Sequence, residues 1–479
     1  MTSPTTKNGL IFTNARLIDG TGAEPVPETA VIVEGERITR ITQTQELTAD
    51  EKANFRVVDL QGRTLLPGLI EAHYHIGYWG VKELSDLDLK LAPEESTIYA
   101  VRNAELILRC GYSSICSAGA VHRVDVVVRN MIENGTLPGP RMVTSGRDIS
   151  PTSGMLDWNP SYWKLGMEGL AIFADGADEV RKATRMIIKE GADIIKLYVT
   201  GEGLLRPHGP PEVTMMTEDE IAAATDEAHR RGRRVMAHVR GADGVKLCVK
   251  HGVDIIHHAT FSDEEAIEIM VTHKDDIFVV PALGYTWGAA YKGAQFGIPE
   301  KVIDESLYRE EFEIGCRNMR KLKEAGVRVL PGGDYGFVWC EHGEEAKDLE
   351  IFVKDIGFTP MEAIIAATKW GSQIMLMEDD IGTVEEGKYA DLLVVDGDPL
   401  ADITLFQDRK NIQLLMKGGT VMCNQLGLPQ VLSADYSLEE HADRVRRTDD
   451  YDPAARDGAP KRKIAGDRSE EYSKLLART

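Results

Sequence analysis

Residues 67–75 read PGLIEAHYH and decide how the rest of the chain is interpreted. An apolar run leads into two histidines, His73 and His75, which are separated by one residue. Successive side chains of a β-strand point to opposite faces, so two residues that are two positions apart share a face. The stretch therefore predicts a strand that ends with two neighbouring imidazole rings, an arrangement suited to holding a metal ion.

Seven further apolar runs alternate with helical patterns between about residues 68 and 378. Continuous apolar strands that alternate with helices are typical of a parallel sheet covered by helices. Together with the strand that ends at His75 they make eight, which favours an α/β fold of the (β/α)8 TIM barrel type over an open sheet. The seven runs are GYSSICSA, PRMVTSG, ADIIKLYVT, RVMAHV, VDIIHHA, IFVVPAL and VRVLPGGD.

Short strand-like runs with Gly- and Asp-containing turns occur on both sides of this region. They predict a small β-sandwich domain assembled from an N-terminal part, residues 1–66, and a C-terminal part, residues 381–430. Residues 67–380 then form the barrel domain. The last segment, residues 431–479, is rich in charged residues and is either an oligomer contact or a solvated tail.

The composition excludes several classes of function. The chain has 479 residues and a formal net charge of -22, which argues against binding to nucleic-acid phosphates. It has neither an apolar run of the roughly 18 residues that a membrane helix needs nor a secretory signal. Six scattered cysteines without a CxxC pattern indicate free thiols. We therefore expect a cytoplasmic homo-oligomer that acts on a small molecule, without nucleic-acid or membrane partners.

Further metal-binding side chains occur at the ends of later predicted strands. His238 ends the run RVMAH, and His258 ends VDIIHH, where the adjacent His257 would face the opposite side of a regular strand. Asp334 follows two glycines, and a carboxylate there can bind a metal and accept a proton from water. Because the active sites of such barrels lie at the C-terminal strand ends, these groups should converge with the two histidines of the first strand.

Lys196 is an ammonium group within the apolar run ADIIKLYVT. Burial disfavours the charged form of a lysine and lowers its pKa. A neutral amine can react with carbon dioxide to give a carbamate that bridges two metal ions. The alternative is an ammonium group that pairs with Asp334 or with a substrate, and the residues leave both open.

The motifs PGLIEAHYH, GADIIKL, AHVRG, GGDYG and IGTVEEGKYADLLVVDGDPLADI occur in this order and resemble the metal-dependent amidohydrolase superfamily. The similarity covers nearly the whole chain and is to the branch of imidazolonepropionase and the Xaa-Pro dipeptidases. It implies one or two divalent ions, zinc by default with cobalt, manganese or iron also compatible, and a carboxylated Lys196 is one of the two forms compatible with such a centre. The implied metal ligands are His73, His75, Lys196, His238, His258 and Asp334.

One position departs from the dipeptidase pattern. Where such relatives commonly have GGH, this chain has SGM at residues 153–155, so a polar substrate-binding histidine is missing. Met155 and Trp158 in one predicted loop, and Tyr285 and Trp287 in another, favour an apolar ligand at the barrel mouth. The same side chains can instead pack as lids or subunit contacts.

The sequence thus predicts a metal-dependent hydrolase that cleaves an amide-type C–N bond, or a carbamate, thiocarbamate or urea, by a metal-activated hydroxide. In the class of its expected substrate, the predicted enzyme most resembles molinate hydrolase and phenylurea hydrolase. Asp334 is the predicted base, and His342 is the next candidate and a further substrate contact. The alternative is a dipeptidase or cyclic-amide hydrolase in which Arg206, Arg147 or His208 holds a substrate carboxylate. A non-catalytic scaffold is disfavoured because all six ligand positions are filled.

Overall fold

The structure is a computed structural model that describes residues 9–159, 169–202, 210–298, 300–305 and 308–433. These residues form a mixed α/β fold with three sheets. In chain order the strands are β1 (Gly9–Leu17), β2 (Val26–Glu34), β3 (Arg37–Gln43), β4 (Arg56–Asp59), β5 (Thr64–Pro67), β6 (Leu69–Tyr74), β7 (Tyr112–Ser117), β8 (Arg141–Val143), β9 (Asp148–Ser150), β10 (Ala171–Phe173), β11 (Ile194–Tyr198), β12 (Arg234–Gly241), β13 (Ile255–Phe261), β14 (Phe278–Val280), β15 (Leu392–Val395), β16 (Ile412–Lys417) and β17 (Thr420–Asn424).

Helices connect most of these strands. The α-helices are α1 (Ala49–Asn54), α2 (Asp86–Leu89), α3 (Pro93–Arg109), α4 (Val124–Glu133), α5 (Gly176–Glu190), α6 (Glu218–His229), α7 (Ala242–Lys250), α8 (Glu264–Thr272), α9 (Leu283–Tyr291), α10 (Glu300–Glu305), α11 (Tyr308–Glu324), α12 (Lys347–Ile351), α13 (Pro360–Ile365) and α14 (Gly371–Ile374). Short 3-10 helices cover Thr44–Glu46, Gly293–Phe296, Ile403–Gln407 and Arg409–Asn411, and π-helical turns cover Phe352–Ile356 and Ala366–Trp370.

The eight-stranded sheet joins the two ends of the described chain. Its order is β17-β16-β15-β5-β1-β2-β3, with β4 beside β1. Strands β5 and β15 pair antiparallel, with Leu66 opposite Leu393. Phe12, Leu65 and Val394, which come from both ends, share one buried apolar cluster because each faces the same side of this sheet. The two ends therefore pair, as the sequence predicted.

The other two sheets contain parallel strands. One has the order β6-β7-β8 and the other β10-β9-β11-β12-β13-β14. Helices α3 to α8 lie between consecutive strands along the chain. Such alternation arises because a parallel connection needs a crossover long enough to hold a helix. It brings the carboxyl ends of the parallel strands to one edge.

Backbone contacts link the two parallel sheets at both borders. The N–H of Ile194, at the start of β11, donates to the carbonyl of Thr144, just after β8, at 3.1 Å. At the other border, isolated parallel bridges pair Val279 with Val329 and Tyr74 with Tyr335. The segment from residue 327 to residue 335 therefore lies between β14 and β6.

The predicted eighth strand, VRVLPGGD at residues 327–334, forms one isolated bridge, at Val329, and no continuous strand. Pro331 has no backbone N–H to contribute to a ladder, and Asp334 has a φ of 62°, in the left-handed region. Gly332 passes so close to β6 that a Cβ at this glycine would lie 2.8 Å from the backbone nitrogen of His73. This close approach places Asp334 beside His73 and His75.

No helix of the described residues has the length and apolar character needed to cross a lipid bilayer. All six cysteines are free thiols. Most of the charged tail, residues 434–479, lies outside the described residues.

Candidate metal centre

The carboxyl ends of the parallel strands carry a buried cluster of imidazole rings. His73 in β6 and His75 just after it have ring centroids 5.2 Å apart. His238 in β12 and His258 in β13 have ring centroids 4.3 Å apart, and the His258 ring is 5.5 Å from that of His73. Four side chains that are far apart in the sequence thus meet, as expected for residues at one edge of parallel strands.

Asp334 adds a carboxylate to the cluster. Its Oδ1 lies 3.0 Å from His75 Nε2 and 3.6 Å from His73 Nε2. One ligand atom from each of His73, His258 and Asp334 lies within 4.8 Å of the other two. His258 is 1% exposed, and neither ring nitrogen has a hydrogen-bond partner among the described residues. Because an unpartnered buried imidazole is costly, this donor set fits a divalent cation.

A hydrogen bond fixes the ring of His75. Its Nδ1 donates to the carbonyl of Gly119 at 2.9 Å, which leaves the lone pair on Nε2. That nitrogen faces the Asp334 carboxylate at 3.0 Å. Because His75 Nε2 and the Asp334 carboxylate are both acceptors, a proton or a metal cation has to lie between them at this distance.

The prediction that His257 faces away from the site is wrong. Its ring centroid lies 4.0 Å from that of His73, and its Nδ1 lies 2.9 Å from Lys196 Nζ. The prediction assumed a regular strand, whereas the backbone of β13 turns left-handed at His258 and Ala259, with φ values of 72° and 52°. This departure allows two adjacent rings to reach the same cluster.

Lys196 is 2% exposed and lies in β11 beside the cluster. Burial lowers its pKa, and the carboxylates of Asp148 and Asp334 oppose that effect. Asp148 is opposite Lys196 in the pairing of β9 with β11, and burial raises the pKa of Asp148 to about 7 against the attraction of Lys196 and His75. Asp148 was not predicted from the sequence, where its only signal is an acidic residue within the short stretch RDIS.

Burial also sets the ionisation of the cluster. It lowers the pKa values of His73, His238 and His258 well below that of a free imidazole. Burial raises the pKa of Asp334, but His73, His75 and Lys196 together outweigh burial and lower it below its usual value. Neutral imidazoles and an ionised carboxylate are the forms in which these groups bind metal ions.

Aromatic and apolar side chains form the other walls of the cavity at this cluster. Tyr285 lines the cavity. Met155 is buried in the apolar cluster that contains Tyr285, and Trp158 packs against that cluster. Several further wall residues were not predicted from the sequence, namely Tyr78, Leu170, Tyr198, Glu202 and Phe337.

Trp287, a predicted substrate contact, is not among the residues that line this cavity. The segment GYTWGAAY was predicted as a loop but lies in helix α9, and a helix presents neighbouring residues to different sides. The Trp287 ring instead packs beside Tyr291 and lies 4.1 Å from Lys347 Nζ.

The other predicted polar contacts also lie elsewhere or cannot be placed. His342 is buried, and its Nε2 donates to the carbonyl of His75 at 3.1 Å. It therefore supports the backbone at the end of β6. Arg147 pairs with Glu190 at 2.6 Å. Arg206 and His208 lie outside the described residues.

Two buried carboxylates hold the backbone on both sides of the centre. Glu71 Oε1 accepts hydrogen bonds from the N–H groups of His73 at 3.3 Å and Gly333 at 3.2 Å. Asp348 Oδ2 accepts from the N–H of Gly332 at 2.9 Å. The strand and the glycine turn that carry the cluster are therefore fixed to each other, which keeps the donor atoms in place.

Comparison with known proteins gives a consistent picture. The profile of the Amidohydrolase family matches residues 64–422. Ochratoxinase of Aspergillus niger is 28% identical over 435 residues, which cover 84% of this chain and 84% of that protein. The crystal structure of a Xaa-Pro dipeptidase with bound methionine in the active site has a TM-score of 0.77 at 28% identity, covering 86% of this chain and 99% of the other. Molinate hydrolase, with a TM-score of 0.71 at 21% identity and coverage of 90% and 100%, shares the fold.

Proposed function

Because this chain belongs to the Amidohydrolase family, we propose that it uses one or two divalent metal ions to hydrolyse an amide-type bond of a small, rather apolar substrate. The chain is a hydrolase that acts on C–N bonds, as its named relatives are. One observation carries the metal dependence: the buried ring of His258, without a hydrogen-bond partner among the described residues, lies beside His73 and Asp334.

We infer that the parallel strands close into one (β/α)8 barrel that corresponds to a catalytic domain at residues 67–380. Support comes from the hydrogen bond between β8 and β11 and from the bridges that place residues 327–335 between β14 and β6. Residues 1–66 and 381–430 would then form the second domain, the proposed β-sandwich; strands from both segments share one sheet, which supports their assignment to one domain.

The proposed metal ligands combine nitrogen and oxygen donors. A divalent cation held there supplies Lewis acidity, which polarises a substrate carbonyl and acidifies a water molecule. Such donors fit zinc by default and also accept cobalt, manganese or iron. The ligands are His73, His75, Lys196, His238, His258 and Asp334.

Asp334 is the proposed catalytic base. Its carboxylate is held ionised at the cluster, and its left-handed backbone directs it there from the glycine turn. In this position it can accept the proton of an attacking water molecule and pass it to the leaving nitrogen. Tyr78, Tyr198 and Phe337 surround the same cavity and exclude bulk water from the reaction.

A substrate panel combined with metal analysis tests the proposed function. The full-length protein, loaded with zinc or cobalt, would be assayed against N-acyl amino acids, aryl amides, Xaa-Pro dipeptides, phenylureas and thiocarbamates. We expect hydrolysis of an apolar amide or a related compound, loss of activity on chelation, and recovery when metal is restored. Failure of the metal-loaded protein to cleave any of them, or full activity of metal-free protein, would contradict the proposal.

Lys196→Ala is expected to lose activity and about one equivalent of bound metal. We propose that the neutral amine and carbon dioxide form a carbamate with release of one proton, and that this carbamate would help to hold the divalent metal. Burial of Lys196 beside His257 supports the carbamate, whereas the adjacent Asp148 supports an unmodified ammonium group. Added acetate or propionate should restore part of the activity and metal.

The matched control is Lys52→Ala, which removes an exposed lysine from α1 and should match the parent. Bound metal would be counted on protein purified with and without bicarbonate. The electron density at Lys196 Nζ in a high-resolution crystal structure would show whether the lysine is modified. A single equivalent in both preparations, together with an unmodified lysine, would favour a mononuclear centre and refute the carbamate.

A further inference from the structure

A second pocket opens beside the candidate metal centre and shares walls with its cavity. Leu84, Tyr285 and Phe337 are among the residues that line both spaces. A substrate whose scissile bond lies at the metal centre can therefore extend into the second space, here named the side pocket. The rest of its wall consists mainly of apolar side chains, which include Phe296, Ile298, Val338 and Trp339.

The two spaces differ greatly in volume. The cavity at the metal centre measures about 20 Å³, which is enough for a group of the size of a water molecule. The side pocket measures about 290 Å³. An apolar cavity of about 150 Å³ suffices to bind benzene, so the side pocket is large enough for a substituted six-membered ring. The bulky part of a substrate therefore fits the side pocket and does not fit the space at the metal centre.

Three aromatic rings of the side pocket contact one another. The centroids of Tyr285 and Phe337 are 4.9 Å apart in an edge-to-face arrangement, and those of Phe337 and Trp339 are 5.7 Å apart and stacked. The centroids of Tyr285 and Trp339 are 5.9 Å apart. A planar aromatic ring of a ligand can add to this cluster by the same edge-to-face or offset contacts, which a saturated ring cannot form.

Backbone hydrogen bonds and close packing fix the shape of this wall. The N–H of Gly336 donates to the carbonyl of Cys340 at 2.9 Å, and the N–H of Cys340 donates to the carbonyl of Phe337 at 3.1 Å. Helix α9 approaches this turn so closely that a Cβ at Gly288 would collide with the carbonyl oxygen of Trp339. A wall that is ordered before the ligand arrives loses little conformational entropy on binding, which favours a ligand of matching shape.

The charged side chains of the side pocket are paired or exposed. Glu202, at the junction with the metal centre, lies 2.6 Å from Arg240 Nη2 and 3.4 Å from His238 Nε2. Lys82 and Glu83 are exposed to solvent, which screens their charges. Selection by the side pocket therefore depends on apolar and aromatic contact rather than on charge.

We propose that the side pocket binds an aromatic ring of the substrate, and that Trp339 and Phe296 set this preference. Burial of a ring removes apolar surface from water, and contact with the aromatic cluster adds to that gain. Both residues line the side pocket but not the cavity at the metal centre. The inference rests on the proposed function, and it narrows the substrate class to amides or related compounds with an aryl group near the scissile bond.

Three methyl ketones test the preference, because they offer a carbonyl group that cannot be hydrolysed: 4-phenylbutan-2-one, 4-cyclohexylbutan-2-one and pentan-2-one. Their dissociation constants would be measured calorimetrically with the metal-loaded, full-length protein. We expect the phenyl ketone to bind at least about tenfold more tightly than pentan-2-one, through burial of its ring. It should bind about threefold more tightly than the cyclohexyl ketone, through its aromatic contacts.

Two substitutions in the wall test the residues that set the preference. Trp339→Leu removes the ring stacked on Phe337 and should lower the affinity for the phenyl ketone more than that for pentan-2-one. Phe296→Ala should do the same and alters a residue that is 37% exposed, so it provides the test if Trp339→Leu does not fold. The matched control is Phe173→Ala, because Phe173 is 38% exposed and lines neither space.

Equal affinities for the phenyl and cyclohexyl ketones in the parent, or a phenyl preference that survives both substitutions, would overturn the inference. A phenyl preference without hydrolysis of any compound in the substrate panel would count against the proposed function alone. Hydrolysis without a phenyl preference would count against the inference alone.

Discussion

The double variant His73→Ala/His75→Ala is expected to lose activity by at least about a thousandfold, since metal-assisted charge stabilisation supplies several kcal/mol to such reactions. It removes two rings whose centroids lie 5.2 Å apart at the end of β6. Bound metal should fall with activity, because both rings face the Asp334 carboxylate. The protein should remain folded, since the apolar residues of the sheets are unchanged.

Three measurements on the same preparation test this result: kcat/KM on a substrate from the panel, metal content by elemental analysis, and thermal unfolding. His251→Ala is the matched control, because His251 pairs with Glu218 at 2.9 Å on the surface and should match the parent in all three. A double variant that stayed fully active and replete with metal would show that the centre lies elsewhere.

Much of the centre could be predicted because it depends on local patterns. His73 and His75 share a face through the period of two of a strand, and His238 and His258 each close an apolar run. Parallel topology then brings such strand ends together without further information from the sequence. That strands from the two ends of the chain pair was predictable for a similar reason, since both ends contain short apolar runs separated by Gly- and Asp-containing turns.

The features that sequence reasoning missed depend on backbone geometry or on contacts between distant segments. His257 reaches the cluster because the strand departs from extended geometry at the next residue, which residue identity does not reveal. Asp148 faces Lys196 through the register of β9 with β11, and Glu202 meets Arg240 of β12. Both pairs join residues that are far apart in the sequence. Packing of the whole chain decides such pairs.

Asp334→Asn is expected to keep most of its metal and to lose turnover by about a hundredfold to ten-thousandfold, the range that general acid–base catalysis contributes. An asparagine can still offer an oxygen to a cation, but its amide cannot accept a proton at neutral pH. The loss should therefore appear in kcat, while metal content remains close to that of the parent. This combination separates the role of base from the role of ligand, which the histidine variants cannot do.

The control for Asp334→Asn is Asp243→Asn, which changes an exposed carboxylate near Lys246 and should leave kcat, KM and metal content unaltered. If Asp334→Asn turned over like the parent, another group would have to accept the proton. His342 is poorly placed for that role because its Nε2 is engaged with the carbonyl of His75. Asp148 lines the same cavity and has a pKa raised to about 7 by burial, against the attraction of Lys196 and His75, so Asp148→Asn would be the next variant to assay.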